Sequence, residues 1–223
     1  MTRRASTALV LAKAPRAGHS KTRLIPTFGA DGAAALAAAA LADTLDAVRA
    51  AEVTARVLVL DGMVSELPES LSLTGFRVVP QVEGSHGERI IAAFEQVTGP
   101  AVLIGMDTPQ VTPALLRLDL DAPADAWLGI AEDGGWWALG LRHPRRDARR
   151  VLADVPMSTP RTGAATRDRL AQCGLTVVDL PVVRDVDEGA DALAVATAAP
   201  LTRFGMLVSH LTSAAAEPGT AGR

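Results

Sequence analysis

A chain of 223 residues is long enough for one large domain with a full core, and 48% hydrophobic against 21% charged residues is the balance of an ordinary folded protein. A net charge of −3 with a pI near 5.8 argues against a nucleic-acid-binding surface as the main function. The single cysteine, Cys173, excludes an intrachain disulfide and any multi-cysteine metal site, and before Gly174 it reads as a small hydrophobe.

The start, Met1-Thr2-Arg3-Arg4-Ala5, has the charge of a signal-peptide n-region, but the apolar stretch behind it runs straight into Lys13 and Pro15. No run of about 18 apolar residues stands out as a membrane span. The expectation is a cytoplasmic protein with no membrane and no nucleic-acid partner. The first strand is expected at Thr7–Ala12. Its carboxyl end opens into a basic glycine/proline loop in which Lys13, Arg16, Lys21 and Arg23 put four cations into eleven residues. Open α/β sheets bind ligands at strand carboxyl ends, where cations and free N–H groups suit a di- or triphosphate. A solvated surface loop is the plainer alternative.

An alanine-rich helix follows at Asp31–Ala51, then strands at Arg56–Asp61 and Phe76–Pro80. The loop Gln81–Arg89 leads into a helix at Gly87–Val97; its glycines let backbone approach a flat group, and Gln81 has the hydrogen-bonding groups to read a base edge, unless the segment is a simple helix start. His86 in it has no visible acid or nucleophile partner. The strand Ala101–Met106 ends in Asp107-Thr108-Pro109, which fits either a Mg²⁺ ligand facing a crevice or a turn before the helix expected at Pro113–Leu118.

Strands at Ala126–Ala131 and Trp136–Leu141, joined by Asp133-Gly134-Gly135, read as a hairpin that breaks the β/α alternation. One of the two tryptophans beside it belongs to the core, while an aromatic there is also able to stack on a sugar or base. Helices are expected at Pro144–Ala153, Gly163–Cys173 and Gly189–Ala198, with a strand at Thr176–Leu180 between the last two. Asp185-Val186-Asp187-Glu188 precedes the final helix, either as metal ligands completing a site with Asp107 or as acids complementing a helix dipole. The whole reads as a single α/β domain over 1–204, a mostly parallel mixed sheet with helices on both faces, and a C-terminal segment 205–223 disordered beyond about 213.

Taken in order, these segments resemble a known pattern. Lys13-Ala14-Pro15-x-x-Gly18-x-x-Lys21-Thr22-Arg23-Leu24 is similar to the opening signature of the DUF2064 family. Asp43-Thr44-Leu45, Gln81-x-x-Gly84-x-x-Gly87-x-Arg89, Gly105-x-Asp107-x-Pro109, Asp133-Gly134-Gly135, Ser158-Thr159 with Thr166, and Asp185-Val186-Asp187 continue it over roughly residues 7 to 195. The resemblance implies a GT-A-type, nucleotide-diphospho-sugar transferase fold, related to the molybdenum-cofactor and 2-phospholactate nucleotidyltransferases. It implies that Lys13, Gly18, Lys21 and Arg23 contact phosphates, with Lys21, Arg23 and Asp107 serving catalysis. Gln81 and Gly84 would lie near the base. Asp107 and Asp187 would ligate Mg²⁺ or Mn²⁺, and Asp133, Gly134, Gly135, Trp137, Ser158 and Thr159 would face the acceptor or sugar. His86, Met157 and Glu188-Gly189 depart from the family's usual residues.

The partners so implied are a nucleotide, as an NTP or nucleotide sugar, and a small-molecule acceptor. The reading favoured by the cation-rich loop is nucleotidyl transfer from an NTP to a phosphorylated acceptor. Glycosyl transfer from a nucleotide sugar is the alternative, and a non-catalytic nucleotide-binding protein is the third. Oligomeric state is left open.

Overall fold

The computed structural model describes residues 5–216. Seven strands form one sheet: β1 (Thr7–Lys13), β2 (Ala55–Asp61), β3 (Arg77–Pro80), β4 (Ala101–Ile104), β5 (Ala126–Ala131), β6 (Trp136–Leu141) and β7 (Val177–Val183). Their order is β3-β2-β1-β4-β6-β5-β7, with β1 parallel to both β2 and β4. β6 runs antiparallel to β4 and β5, and β7 returns parallel to β5. A mostly parallel mixed sheet with one reversed strand is what the acidic-glycine hairpin implied.

Near-continuous apolar strands demand cover on both faces, and six helices supply it. They are α1 (Ile25–Ala50), α2 (His86–Glu95), α3 (Pro144–Leu152), α4 (Thr162–Gln172), α5 (Gly189–Ala198) and α6 (Arg203–Ala216). On one face Leu41, Leu45 and Val48 of α1 pack on Val10, Leu58 and Val102. On the other, Ile90 and Phe94 of α2 and Val151 of α3 pack on Leu9, Leu103 and Leu139. The opposite side of α1 is also buried, because Ala33, Leu36 and Ala40 meet Val195 of α5 and Phe204 and Val208 of α6. Small alanines let one helix be packed from two sides.

That composition gives an 18-residue window within Thr22–Ala50 a mean hydropathy of 1.5, so by length and composition this helix is apolar enough to cross a membrane, contrary to the sequence expectation. Here its burial is against the sheet and its neighbouring helices. α1 also begins six residues earlier than expected, across Pro26 and a kink at Gly29 (φ 72°). Pro113–Leu116 is a short 3₁₀ turn, since Pro113 and the extended Arg117 leave no room for a longer helix. The chain expected to be disordered beyond about 213 continues as α6 to Ala216, and residues 217–223 lie outside the described residues.

Candidate functional site

Three loops meet at the carboxyl ends of the parallel strands: the one after β1, the one after β4, and the one between β7 and α5. Gly18 (φ 75°) turns the first back on itself. Lys21 then adopts a left-handed backbone (φ 49°), a conformation costly for a side-chain-bearing residue. The turn buries its side chain, which is 10% exposed, with Nζ 2.6 Å from Asp107 Oδ1. Lys21 Nζ also donates to the Val186 carbonyl, while Val186 N donates to Asp107 O at 2.8 Å. Arg23 is ion-paired to Asp187 at 3.0 Å. One lysine and one arginine thus tie all three loops together.

A cavity of about 560 Å³ opens above β1 and is lined by Lys13, Lys21, Arg23, Gln81, Gly84 and His86, among others. Gly18 bends the basic loop but is not part of its wall. Gln81 is spent differently from a base reader: its Nε2 donates to Ala12 O at 2.9 Å and Val59 O at 3.1 Å, which uses both amide hydrogens. Arg89 fixes the loop by donating to Gly84 O at 3.1 Å and to Asp61 at 2.9 Å. Every cation of the basic loop faces a carboxylate: Lys13 with Asp61 at 3.9 Å, Arg16 with Glu66 at 2.5 Å, Lys21 with Asp107 and Arg23 with Asp187.

A second cavity of about 570 Å³ adjoins the first. The two share Leu11, Arg23, His86, Asp107, Ser158 and Asp187 as a common wall. Burial holds the His86 imidazole below its usual range, and the nearby Arg89 and Lys13 add to this while Asp107 opposes it. Asp133, Asp185 and Asp187 bring carboxylate oxygens within 4.8 Å of one another. The Asp185 carboxyl is pushed up to about 6, first by burial and then by Asp133, Asp187 and Asp107. Asp107, expected beside Asp187 as a metal ligand, is ion-paired to Lys21, and Asp133, expected on the acceptor side, stands with Asp185 and Asp187.

The hairpin turn is held where it is by close backbone packing. Asp133 Oδ1 accepts from Gly135 N at 2.7 Å, and Gly134 (φ 90°) lies against Pro160. A Cβ on Gly134 would sit inside the radius of the Pro160 carbonyl oxygen. Gly134→Ala is therefore expected to cost about 3 kcal/mol or more and lower Tm on the order of 10 °C, readable by calorimetry. Ser158 (φ 57°) and Lys21 are the non-glycine residues with left-handed backbones among the described residues, and both line the first cavity. Thr159 lines the second, its backbone N–H held by Thr162 Oγ1 at 3.0 Å.

Both tryptophans line the second cavity. Trp137 is 3% exposed with Nε1 donating to Pro181 O at 2.9 Å, so it is the core member of the pair, and Trp136 is the half-buried one. Asp43 lines neither cavity: its carboxylate accepts from Arg203 N at 3.0 Å and Phe204 N at 2.8 Å, capping the start of α6. Asp185, an alternative to Asp187 in the sequence reading, stands in the acid cluster with it, while the capping role of Asp43 has no signal in its own segment. His86, set aside at the sequence level, stands in the common wall.

No curated protein matches the chain significantly in sequence. Among solved structures, a protein of Desulfovibrio desulfuricans G20 provisionally assigned as a nucleotide-diphospho-sugar transferase superposes with a TM-score of 0.82 at 23% identity, over 93% of this chain and 95% of that one. Rv0371c of Mycobacterium tuberculosis H37Rv is 27% identical with a TM-score of 0.55, over 85% and 96% of the two chains. A further structure of Rv0371c is a complex with manganese, at 25% identity and a TM-score of 0.53 over 86% and 97%. A nucleotidyl transferase of Methanothermobacter, Mth528, shares the fold at 17% identity and a TM-score of 0.56 over 93% and 98%. The fold is that of the nucleotide-diphospho-sugar transferases and nucleotidyltransferases. Residues 44–159 match the model of DUF2064, described as an uncharacterized protein conserved in bacteria, and the chain belongs to that family.

Proposed function

We propose that this protein is a divalent-metal-dependent transferase that binds a nucleotide donor in the first cavity and an acceptor in the second. The observation that carries the reading is the common wall, where Asp107, ion-paired to the buried Lys21 of the first cavity, and the Arg23–Asp187 pair stand between the two cavities. Lys13, Lys21 and Arg23 would bind the donor's phosphates, and Gly84, held by Arg89, would let the base approach the backbone. Gln81 supports that wall as a brace between β1 and β2.

Asp133, Asp185 and Asp187 fit a divalent cation: the donors are hard oxygens, and the raised Asp185 carboxyl marks negative charge in want of a counterion. Rv0371c, with its manganese complex, supports Mn²⁺ or Mg²⁺ in this role. When bound, the cation would supply charge neutralisation at the donor's phosphate oxygens. Lys21 and Arg23, released from their acids onto those oxygens, would stabilise the charge that builds on the leaving group.

Two transfers fit this arrangement. In one, an acceptor phosphate oxygen bonds to the α-phosphorus of an NTP and pyrophosphate leaves. In the other, an acceptor hydroxyl oxygen bonds to the anomeric carbon of a nucleotide sugar, the nucleoside diphosphate leaves, and the hydroxyl proton passes to a base or solvent. The first was favoured by the charge of the basic loop. Pairing of Lys13, Arg16, Lys21 and Arg23 with carboxylates offsets that charge and brings glycosyl transfer level with it.

Calorimetric titration with nucleoside di- and triphosphates, with Mn²⁺ and in chelator, tests the proposal. Saturable binding that Mn²⁺ strengthens is expected. Binding that is equally tight in chelator and unchanged by Asp187→Asn would support the non-catalytic reading instead, and no binding of any nucleotide would overturn both.

A further inference from the structure

The second cavity carries an unusual balance of charge. Its wall contains the carboxylates of Asp107, Asp133, Asp185, Asp187, Glu188 and Asp191; the cation among its lining residues is Arg23, paired to Asp187, while Lys21 reaches Asp107 from the first cavity and Arg184 pairs with Asp191. One divalent ion together with Arg23, Lys21 and Arg184 would offset five of those six charges and leave the balance negative. Lys13 and Lys21, which line the first cavity, are not part of this wall. A phosphate or carboxylate entering here would still meet a net negative wall in a partly desolvated space, a juxtaposition that disfavours an anion.

The uncharged part of the wall points to what does fit. Trp136 presents a half-buried ring to the cavity, and its indole N–H is buried with no acceptor among the described residues. Ser158 and Thr159 line the same cavity, and His86 at the common wall is held toward its neutral form by burial. Carboxylates accept hydrogen bonds from hydroxyls, an indole N–H donates to an ether or hydroxyl oxygen, and an aromatic face covers C–H surface. We infer that the acceptor is a hydroxyl-rich molecule bearing no phosphate or carboxylate of its own, such as an unphosphorylated sugar or polyol. This rests on the transferase reading and narrows it, because an acceptor without phosphate selects transfer to a hydroxyl.

Saturation-transfer NMR on the full chain with Mg²⁺ and UDP or GDP bound is the test, with neutral hexoses and their 6-phosphates as probes. Transfer to the neutral hexoses and at least fivefold less to the 6-phosphates is expected. Trp136→Leu is expected to cut the neutral signal severalfold. Should that variant fail to fold, Glu188→Lys, at the exposed edge of the cavity, is expected to raise the hexose 6-phosphate signal instead. Equal or stronger transfer to the 6-phosphates overturns the inference, as does a neutral signal indifferent to Trp136→Leu. If neither probe binds while the nucleotide does, the acceptor class is wrong and the nucleotide site stands. If neither UDP nor GDP binds, the transferase reading falls and the inference with it.

Discussion

Lys21→Met is expected to weaken nucleotide binding about 10- to 100-fold and to lower Tm as well, whereas Arg23→Ala should weaken binding with little change in Tm. The two cations sit in one loop, but their surroundings differ. Lys21 is 10% exposed and holds both Asp107 and the Val186 carbonyl, so its removal unfastens the loops and leaves two acceptors without a donor. Charge-assisted hydrogen bonds of that kind are worth about 1.5–3 kcal/mol, which sets the size of both effects. Arg23 is 68% exposed, and ion pairs at such exposure contribute little to stability. Calorimetry for affinity and thermal melts for stability separate the two variants. Unchanged affinity in both would remove the phosphate role of the basic loop.

The contrast also explains which parts of the site were legible in the sequence. Strand ends were readable because Ala8–Leu11 and Ala101–Ile104 are apolar throughout, and the residues just past them, Lys13 and Asp107, fall at the ligand-binding edge of a parallel sheet by topology alone. What a linear pattern does not contain is the pairing across loops. Lys21 meets Asp107 because β1 and β4 are parallel neighbours in the sheet though distant in the chain, whereas Arg23 with Asp187 and Asp133 with Asp185 are brought together by the reversal at the β5–β6 hairpin and by the return of β7. Gln81 illustrates the same limit: its side chain has the chemistry to read a base, but its position beside β1 and β2 directs it to Ala12 O and Val59 O.

The helices erred at their ends for local reasons. Pro26 occupies the first turn of α1, where its missing N–H costs nothing, and Gly29 takes the kink that lets α1 continue. α6 escaped notice although Phe204, Leu207, Val208 and Leu211 recur at helical spacing. Its cap, Asp43, lies far away in the sequence on α1.

The acid cluster makes the sharpest quantitative demand. Asp185 titrates near 6 in the folded chain against 3.8 for an unhindered carboxyl, so the folded state binds its proton more tightly than the unfolded one. Stability is therefore lost as pH rises from 3.8 toward 6, and the penalty is fully present above that range. Asp185→Asn removes the charge while keeping the shape. In chelator at pH 7.5 the variant is expected to melt a few degrees above the wild type, and the advantage should vanish near pH 4. With Mn²⁺ at about 100 times its dissociation constant the order reverses, because the wild type gains roughly 2.7 kcal/mol of linkage, or about 5–10 °C, and the variant loses most of it. The same variant is thus stabilised without metal and comparatively unstable with it, a crossing that a purely structural aspartate would not produce. Should Asp185→Asn melt below the wild type in chelator and keep its response to Mn²⁺, the three carboxylates are not where the cation binds.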